Sequence, residues 1–203
     1  MYARRDLLRL GALGGAAAAG VAALPSRGLA QGASYAQSYY GSQRFAAPTT
    51  FDADAAVRQV AVHNLHTGES VETIYFDNGE YVPDALAAMN HVLRDFRTGD
   101  IHQMDPRVFD LLHTISRTVD SRAPFQIISG YRSPQTNEML HETSSGVASN
   151  SYHMRGMAID IRLPDVQLAH LHKAALLLQR GGVGYYPASD FIHVDVGPVR
   201  HWG

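Results

Sequence analysis

Gly182 to Val196 reads GVGYYPASDFIHVDV, two runs rich in β-branched and aromatic residues parted only by Pro187 to Asp190. The two runs, near Gly182 to Tyr186 and Phe191 to Val196, are read as the two closing strands of the domain. Within the second, strict alternation sends Ile192, Val194 and Val196 to one face and His193 and Asp195 to the other. The apolar set belongs to a core. The polar set leaves two ionisable groups aligned on a rigid element.

Upstream lie a helix expected from Asp165 to Arg180 and a strand around Met157 to Arg162. Before them, a strand from Phe125 to Ser129 runs into Gly130-Tyr131-Arg132. There Ser133 can cap, and Pro134 can open, a short helix reaching about Leu140, followed by a polar loop from His141 to Tyr152. Asp105 caps another helix, with Pro106 in its first turn and Val108, Leu111, Leu112, Ile115 and Val119 at helical spacing. An earlier helix opens at Pro83, with Leu86, Met89, Leu93 and Phe96 on one face and Gly99 just past its end. Val57 to Phe76 forms a hairpin about His66 to Glu69, where Gly68 supplies positive φ. Short strands interleaved with helices, without repeated βαβ crossovers, predict one α+β domain: a small, mostly antiparallel sheet flanked by helices.

The chain has 203 residues, 45% of them hydrophobic and 18% charged, the composition of an ordinary globular protein. It has no cysteine, which excludes disulfides and thiolate metal sites and leaves any transition metal to imidazole and carboxylate. Eleven histidines are available for that task.

Residues 1–30 read as an export signal: Arg4-Arg5, an apolar stretch from Leu10 to Leu24, then Gly28-Leu29-Ala30, with cleavage expected after Ala30. The paired arginines with Leu7 and Leu8 behind them resemble a twin-arginine signal, which implies the twin-arginine export machinery as partner and the periplasm as destination. The apolar stretch falls short of the ~20 residues of a bilayer span, so no membrane segment is expected after processing. Residues 31–50, rich in Ser, Ala, Gln and Tyr without periodicity, read as a linker, and the domain proper runs from 51 to 203. Removing residues 1–30 discards four arginines and one aspartate, taking the formal charge from -2 to -5. An acidic protein is not built to neutralise nucleic-acid phosphates.

His153 stands seven residues before Asp160, with Gly156 between them to permit a bend and Met157, Ala158 and Ile159 leading into the aspartate. A carboxylate after such an apolar run needs a cation, a metal or several N–H donors. With His193 it makes a set of two imidazoles and one carboxylate, which suits Zn²⁺ and leaves a coordination position open for catalysis.

Four blocks carry a resemblance: Ser129 to Asn137 (SGYRSPQTN), Gly146 to Asp160 (GVASNSYHMRGMAID), Gly181 to Pro187 (GGVGYYP) and Phe191 to Asp195 (FIHVD). In this order they resemble the signature blocks of the YcbK-like (MepK-like) murein endopeptidases. That family belongs to a wider group of zinc peptidases with the D-alanyl-D-alanine carboxypeptidases and the hedgehog-type fold. The resemblance implies zinc held by His153, Asp160 and His193, Arg132 facing the developing oxyanion, and peptide stems or cross-links of peptidoglycan as substrate.

In the better-known carboxypeptidases of this group a glutamate three residues before the last histidine is the general base, and here that position is Asp190. Asp195, which shares a strand face with His193, is the favoured alternative, either as base or as the group that orients His193, and His201 is a third candidate. Tyr131, Ser151 and Tyr185-Tyr186 are expected to line the substrate cleft. A zinc-containing module that binds wall peptides without cutting them is the other reading.

Overall fold

The computed structural model describes residues 57–143 and 147–203. The export signal, the linker, the domain start at Phe51 and Gly146 of the second sequence block lie outside the described residues. Among the described residues, four α-helices and eight strands form a single α+β domain.

The hairpin is present as β1 (Val57–Asn64) and β2 (Ser70–Asp77), turned at Gly68 with φ 73°. A two-residue strand, β3 (Glu80–Tyr81), pairs with the end of β2. Helix α1 (Pro83–Val92) packs on β2, and α2 (Pro106–Thr118) packs on β1. The Asp105 side chain accepts the Arg107 N–H at 3.0 Å, the expected cap of α2. Strand β4 (Phe125–Ser129), helix α3 (Pro134–Thr143), β5 (Ala158–Arg162) and helix α4 (Leu168–Leu178) follow. The chain closes with β6 (Gly182–Tyr186), β7 (Phe191–Asp195) and β8 (Arg200–Trp202).

The strands form one sheet in the order β3-β2-β1-β4-β5-β7-β6-β8. Its size and pairing correct the expectation of a small, mostly antiparallel sheet: it is mixed, because β1 pairs parallel with β4 and β6 parallel with β8. Both parallel contacts join strands distant in sequence. The β1–β4 connection contains two helices, and β8 returns past β7 to the outer edge of β6.

The boundaries of three helices also move. Helix α1 stops at Val92 instead of running past Phe96, because the following turn is claimed by other partners. The Leu93 carbonyl accepts the Tyr131 N–H at 2.8 Å, and the Asp95 carboxylate accepts the N–H groups of Arg97 and Ser133, both at 2.9 Å. Helix α4 starts at Leu168 because Asp165 is held outside it by the Ser121 hydroxyl at 2.9 Å, and it ends where Gln179 turns left-handed with φ 49°. Helix α3 runs on to Thr143, beyond Leu140.

Val60 and Val62 of β1, Ile127 of β4, Ile159 and Ile161 of β5 and Ile192 and Val194 of β7 join α1, α2 and α4 in one apolar core. Period-2 alternation therefore puts Asp160 of β5 and His193 of β7 on the face away from that core. These two residues are also direct register partners across the β5–β7 pair, so the sheet delivers them side by side. Beneath β1 a second polar group is sealed in. The Asp110 carboxylate of α2 receives Arg58 at 2.8 Å, the Tyr75 hydroxyl at 3.0 Å and the Tyr81 hydroxyl at 2.6 Å.

Candidate metal centre

His153 does not come from a strand. It sits in a single 3-10 turn, Tyr152–Arg155, opened by Ser151, whose hydroxyl accepts the His153 N–H, and closed by Gly156 at φ 65°. A Cβ at residue 156 would lie 2.3 Å from the Gln103 carbonyl oxygen, so only glycine fits this bend. The turn lowers the imidazole onto the polar face of β5 and β7.

The meeting point is tight. His153 Nε2 lies 3.2 Å from Asp160 Oδ1 and 3.1 Å from His193 Nδ1, and His193 Nδ1 lies 2.9 Å from Asp160 Oδ1. All three residues are buried, and among the described residues they are the one group of three able to offer donor atoms to a common ion. Around a tetrahedral zinc with bonds of ~2.0–2.1 Å, neighbouring donors stand about 3.3 Å apart, so this triangle needs to open by only a few tenths of an ångström. Two imidazoles and a carboxylate are also the right chemistry for such an ion.

The outer nitrogens decide which inner ones are free. His153 Nδ1 donates to the Gly130 carbonyl at 2.8 Å, so its Nε2 lone pair faces the centre. His193 Nε2 donates to Asp195 Oδ2 at 3.0 Å, so its Nδ1 faces the centre. Asp195 is fully buried and saturated. Its carboxylate also accepts the N–H groups of Gly182 and Gly197, at 3.0 and 2.8 Å, and two N–H groups of Arg200, at 3.1 and 2.6 Å.

Burial pulls the metal-free His153 below the ordinary histidine range, although Asp160 opposes it. Burial pulls on His193 too, but its hydrogen bonds to Asp160 and Asp195 win and push it up to about 9. Asp160 is held well below the usual carboxylate range: burial alone would raise it, and the two imidazoles outweigh that. Asp195 is likewise lowered against burial, by His193, Arg200 and the two backbone donors. Without a metal, the proton of the trio therefore rests on His193.

The centre opens into a cleft of about 620 Å³ whose walls include Arg132, Ser151, Tyr152, Tyr186, Arg200 and Trp202. Arg132 is mostly buried, its Nη2 3.7 Å from Asp160 Oδ2 and 3.3 Å from the Ser129 hydroxyl, and its own N–H donates to the His153 carbonyl. Burial lowers its pKa in spite of Asp160.

Residues 52–202 match the family described as Peptidoglycan L,D-endopeptidase MepK. The chain belongs to the MepK family. Among its relatives, the "Peptidoglycan L,D-endopeptidase MepK" of Escherichia coli (strain K12) is 46% identical over 145 residues, covering 71% of this chain and 80% of the relative. The protein of the same name from Shigella flexneri gives the same figures. The "Probable peptidoglycan L,D-endopeptidase MepK" of Haemophilus influenzae (strain ATCC 51907 / DSM 11121 / KW20 / Rd) is 42% identical over 146 residues, 71% of this chain and 78% of the relative.

In this MepK-family chain the other nominated residues separate. Ser151 lines the cleft, whereas Tyr131 and Tyr185 do not: Tyr131 stacks on His102 and Tyr185 on His172, each with ring centroids 4.5 Å apart. Tyr186 takes the cleft position, stacked on Phe191 and accepting the Trp202 Nε1–H at 2.8 Å. Asp190 lies between two cleft residues, Ser189 and Phe191, but its carboxylate is turned to Arg162 at 2.7 Å. His201 is exposed on β8 and is not among the cleft residues. Tyr152, Arg200 and Trp202 were missed from sequence. The signal for Trp202 was thin, a lone tryptophan beside the C-terminus, and Arg200 acquires its place only through the return of β8.

Proposed function

We propose that the protein is a zinc-dependent peptidoglycan peptidase that cuts peptide cross-links or stems, and specifically an L,D-endopeptidase like its named relatives. The observation that carries this reading is the His153–Asp160–His193 triangle, whose two ring nitrogens and one carboxylate oxygen converge in a cleft beside Arg132. Family membership supplies the substrate class. The hedgehog and D-alanyl-D-alanine peptidase type of site is inferred with it.

A zinc ion on this trio supplies Lewis acidity toward a peptide carbonyl and lowers the pKa of water toward neutrality. The chain's own residues do the rest. Arg132, fixed by burial and by Asp160, presents a guanidinium to the negative charge that grows on the carbonyl oxygen. Asp195 orients His193 rather than acting as base, because burial and five hydrogen bonds leave its oxygens no access to the cleft. Asp190 is then the base. Its hold on Arg162 is an exposed ion pair, with 62% of the Asp190 side chain accessible, and such pairs are worth about 0–1 kcal/mol. Freed from Arg162, the carboxylate between the cleft residues Ser189 and Phe191 takes the proton of the attacking water and returns it to the leaving amine.

Residues 1–30 act in this reading as a twin-arginine signal cleaved after Ala30, residues 31–50 as a linker, and residues 51–203 as the catalytic domain working in the periplasm. Among the described residues no helix is long and apolar enough to cross a membrane.

Zinc-loaded protein incubated with purified sacculi should yield new muropeptides by mass spectrometry, and a chelator should abolish them until zinc is restored. Undiminished release by His153→Ala or Asp160→Ala would overturn the metal role. One observation favours the second reading, a metal-holding module that binds without cutting: both nominated base carboxylates are bonded elsewhere. Stoichiometric zinc with no turnover on any cross-linked muropeptide decides for it.

A further inference from the structure

Arg200 meets the cleft in an unusual way for a residue that already has a full ion pair. Its Nη1 donates to Asp195 Oδ1 at 3.1 Å and to the Pro198 carbonyl at 3.0 Å, and its Nη2 donates to Asp195 Oδ2 at 2.6 Å. A guanidinium carries five N–H donors, and these bonds use three. The two left over, Nε–H and the second Nη2–H, lie on one edge of the plane and form the parallel fork that a carboxylate takes bidentately. The side chain lines the cleft with 38% of its surface exposed, and its central carbon lies over the Tyr152 and Trp202 rings, 5.0 and 5.1 Å from their centroids.

We propose that Arg200 is a substrate-binding residue that anchors a free carboxylate of the wall peptide. Resting on the peptidase reading above, this names the feature of the substrate that the cleft selects. The carboxylates of Asp160 and Asp195 offset the charges of Arg132 and Arg200, so a divalent ion on the trio leaves the site with surplus positive charge that attracts an anion. Stem peptides supply one, at their C-terminus or on diaminopimelate. Because Asp195 and the carbonyl of Pro198 already hold the guanidinium in place, the fork is organised before the ligand arrives and loses little freedom on binding. His193 and Arg200 share Asp195 Oδ2, so a carboxylate anchored on Arg200 is held close to the His153–Asp160–His193 trio.

The test compares one cross-linked muropeptide with the same muropeptide amidated at its free carboxylates. Amidation should lower kcat/KM of the wild-type protein by about tenfold or more, through KM, since a charge-assisted bidentate contact is lost. Arg200→Gln should cleave the carboxylate form as poorly as the amidated one, with amidation costing nothing further, and Arg200→Lys should restore part of the preference. Calorimetric binding of the two forms of the product peptide to wild-type protein reads the same subsite without turnover and without any substitution. Equal affinity and equal kcat/KM for the two forms in wild-type protein overturn the proposal, as does an amidation penalty that survives in Arg200→Gln. Cleavage of neither form, with the carboxylate product still bound preferentially, counts against the peptidase reading alone.

Discussion

His193 donates its Nε2 proton to Asp195 Oδ2 across 3.0 Å, and this bond turns the other ring nitrogen, Nδ1, toward His153 and Asp160. Asp195 therefore governs the centre from behind, without touching it. Asp195→Asn keeps the shape but weakens the grip on His193 and leaves Arg200 without its countercharge. Zinc affinity should fall about 10–100-fold, measured by competition with a chromogenic chelator. Unchanged affinity would remove Asp195 from the metal site's support.

Metal uptake should release a proton. In the metal-free protein His193 is pushed up to about 9, so at neutral pH the ion must displace a proton from it. Apparent zinc affinity should climb about tenfold per pH unit from pH 7 and flatten near 9. The same raised pKa stabilises the metal-free fold fully below the unfolded histidine value of about 6.5, and this contribution fades as pH rises through about 9. Thermal melts of chelator-treated protein between pH 6 and 10 follow the second effect, and a melting temperature that does not fall across that window would contradict the assignment.

Asp190 and Arg162 give opposite expectations. Asp190→Asn should lower kcat by about 10²–10⁴-fold with zinc content intact, the range for a general base. Arg162→Ala removes the partner that holds the carboxylate away and should leave kcat undiminished. Full activity of Asp190→Asn in a muropeptide release assay would exclude Asp190 as the base.

The sealed cluster beneath β1 is a matter of stability alone. Asp110→Ala strands Arg58, whose side chain is only 5% exposed, and should cost about 3–5 kcal/mol in denaturant unfolding. Activity per folded molecule should be unchanged. A loss under about 1 kcal/mol would mean that water reaches Arg58 and replaces its partner.

Much of this was written in local pattern. Alternation in Phe191–Asp195 separates Ile192 and Val194 from His193 and Asp195, and Asp105-Pro106 marks the opening of α2, because strand period and helix caps depend on near neighbours alone. The absence of cysteine likewise confined any metal site to imidazole and carboxylate donors. Tertiary structure decided the rest. The parallel pairings of β1 with β4 and β6 with β8, the stop of α1 at Val92, and the cleft places of Tyr186, Arg200 and Trp202 all depend on segments that meet only after the chain has closed on itself. On paper Asp195, which shares a strand face with His193, is the favoured base over Asp190. They are distinguished by their partners: a carboxylate's availability depends on how many donors already occupy its oxygens, and those donors arrive from Gly182, Gly197, Arg200 and Arg162.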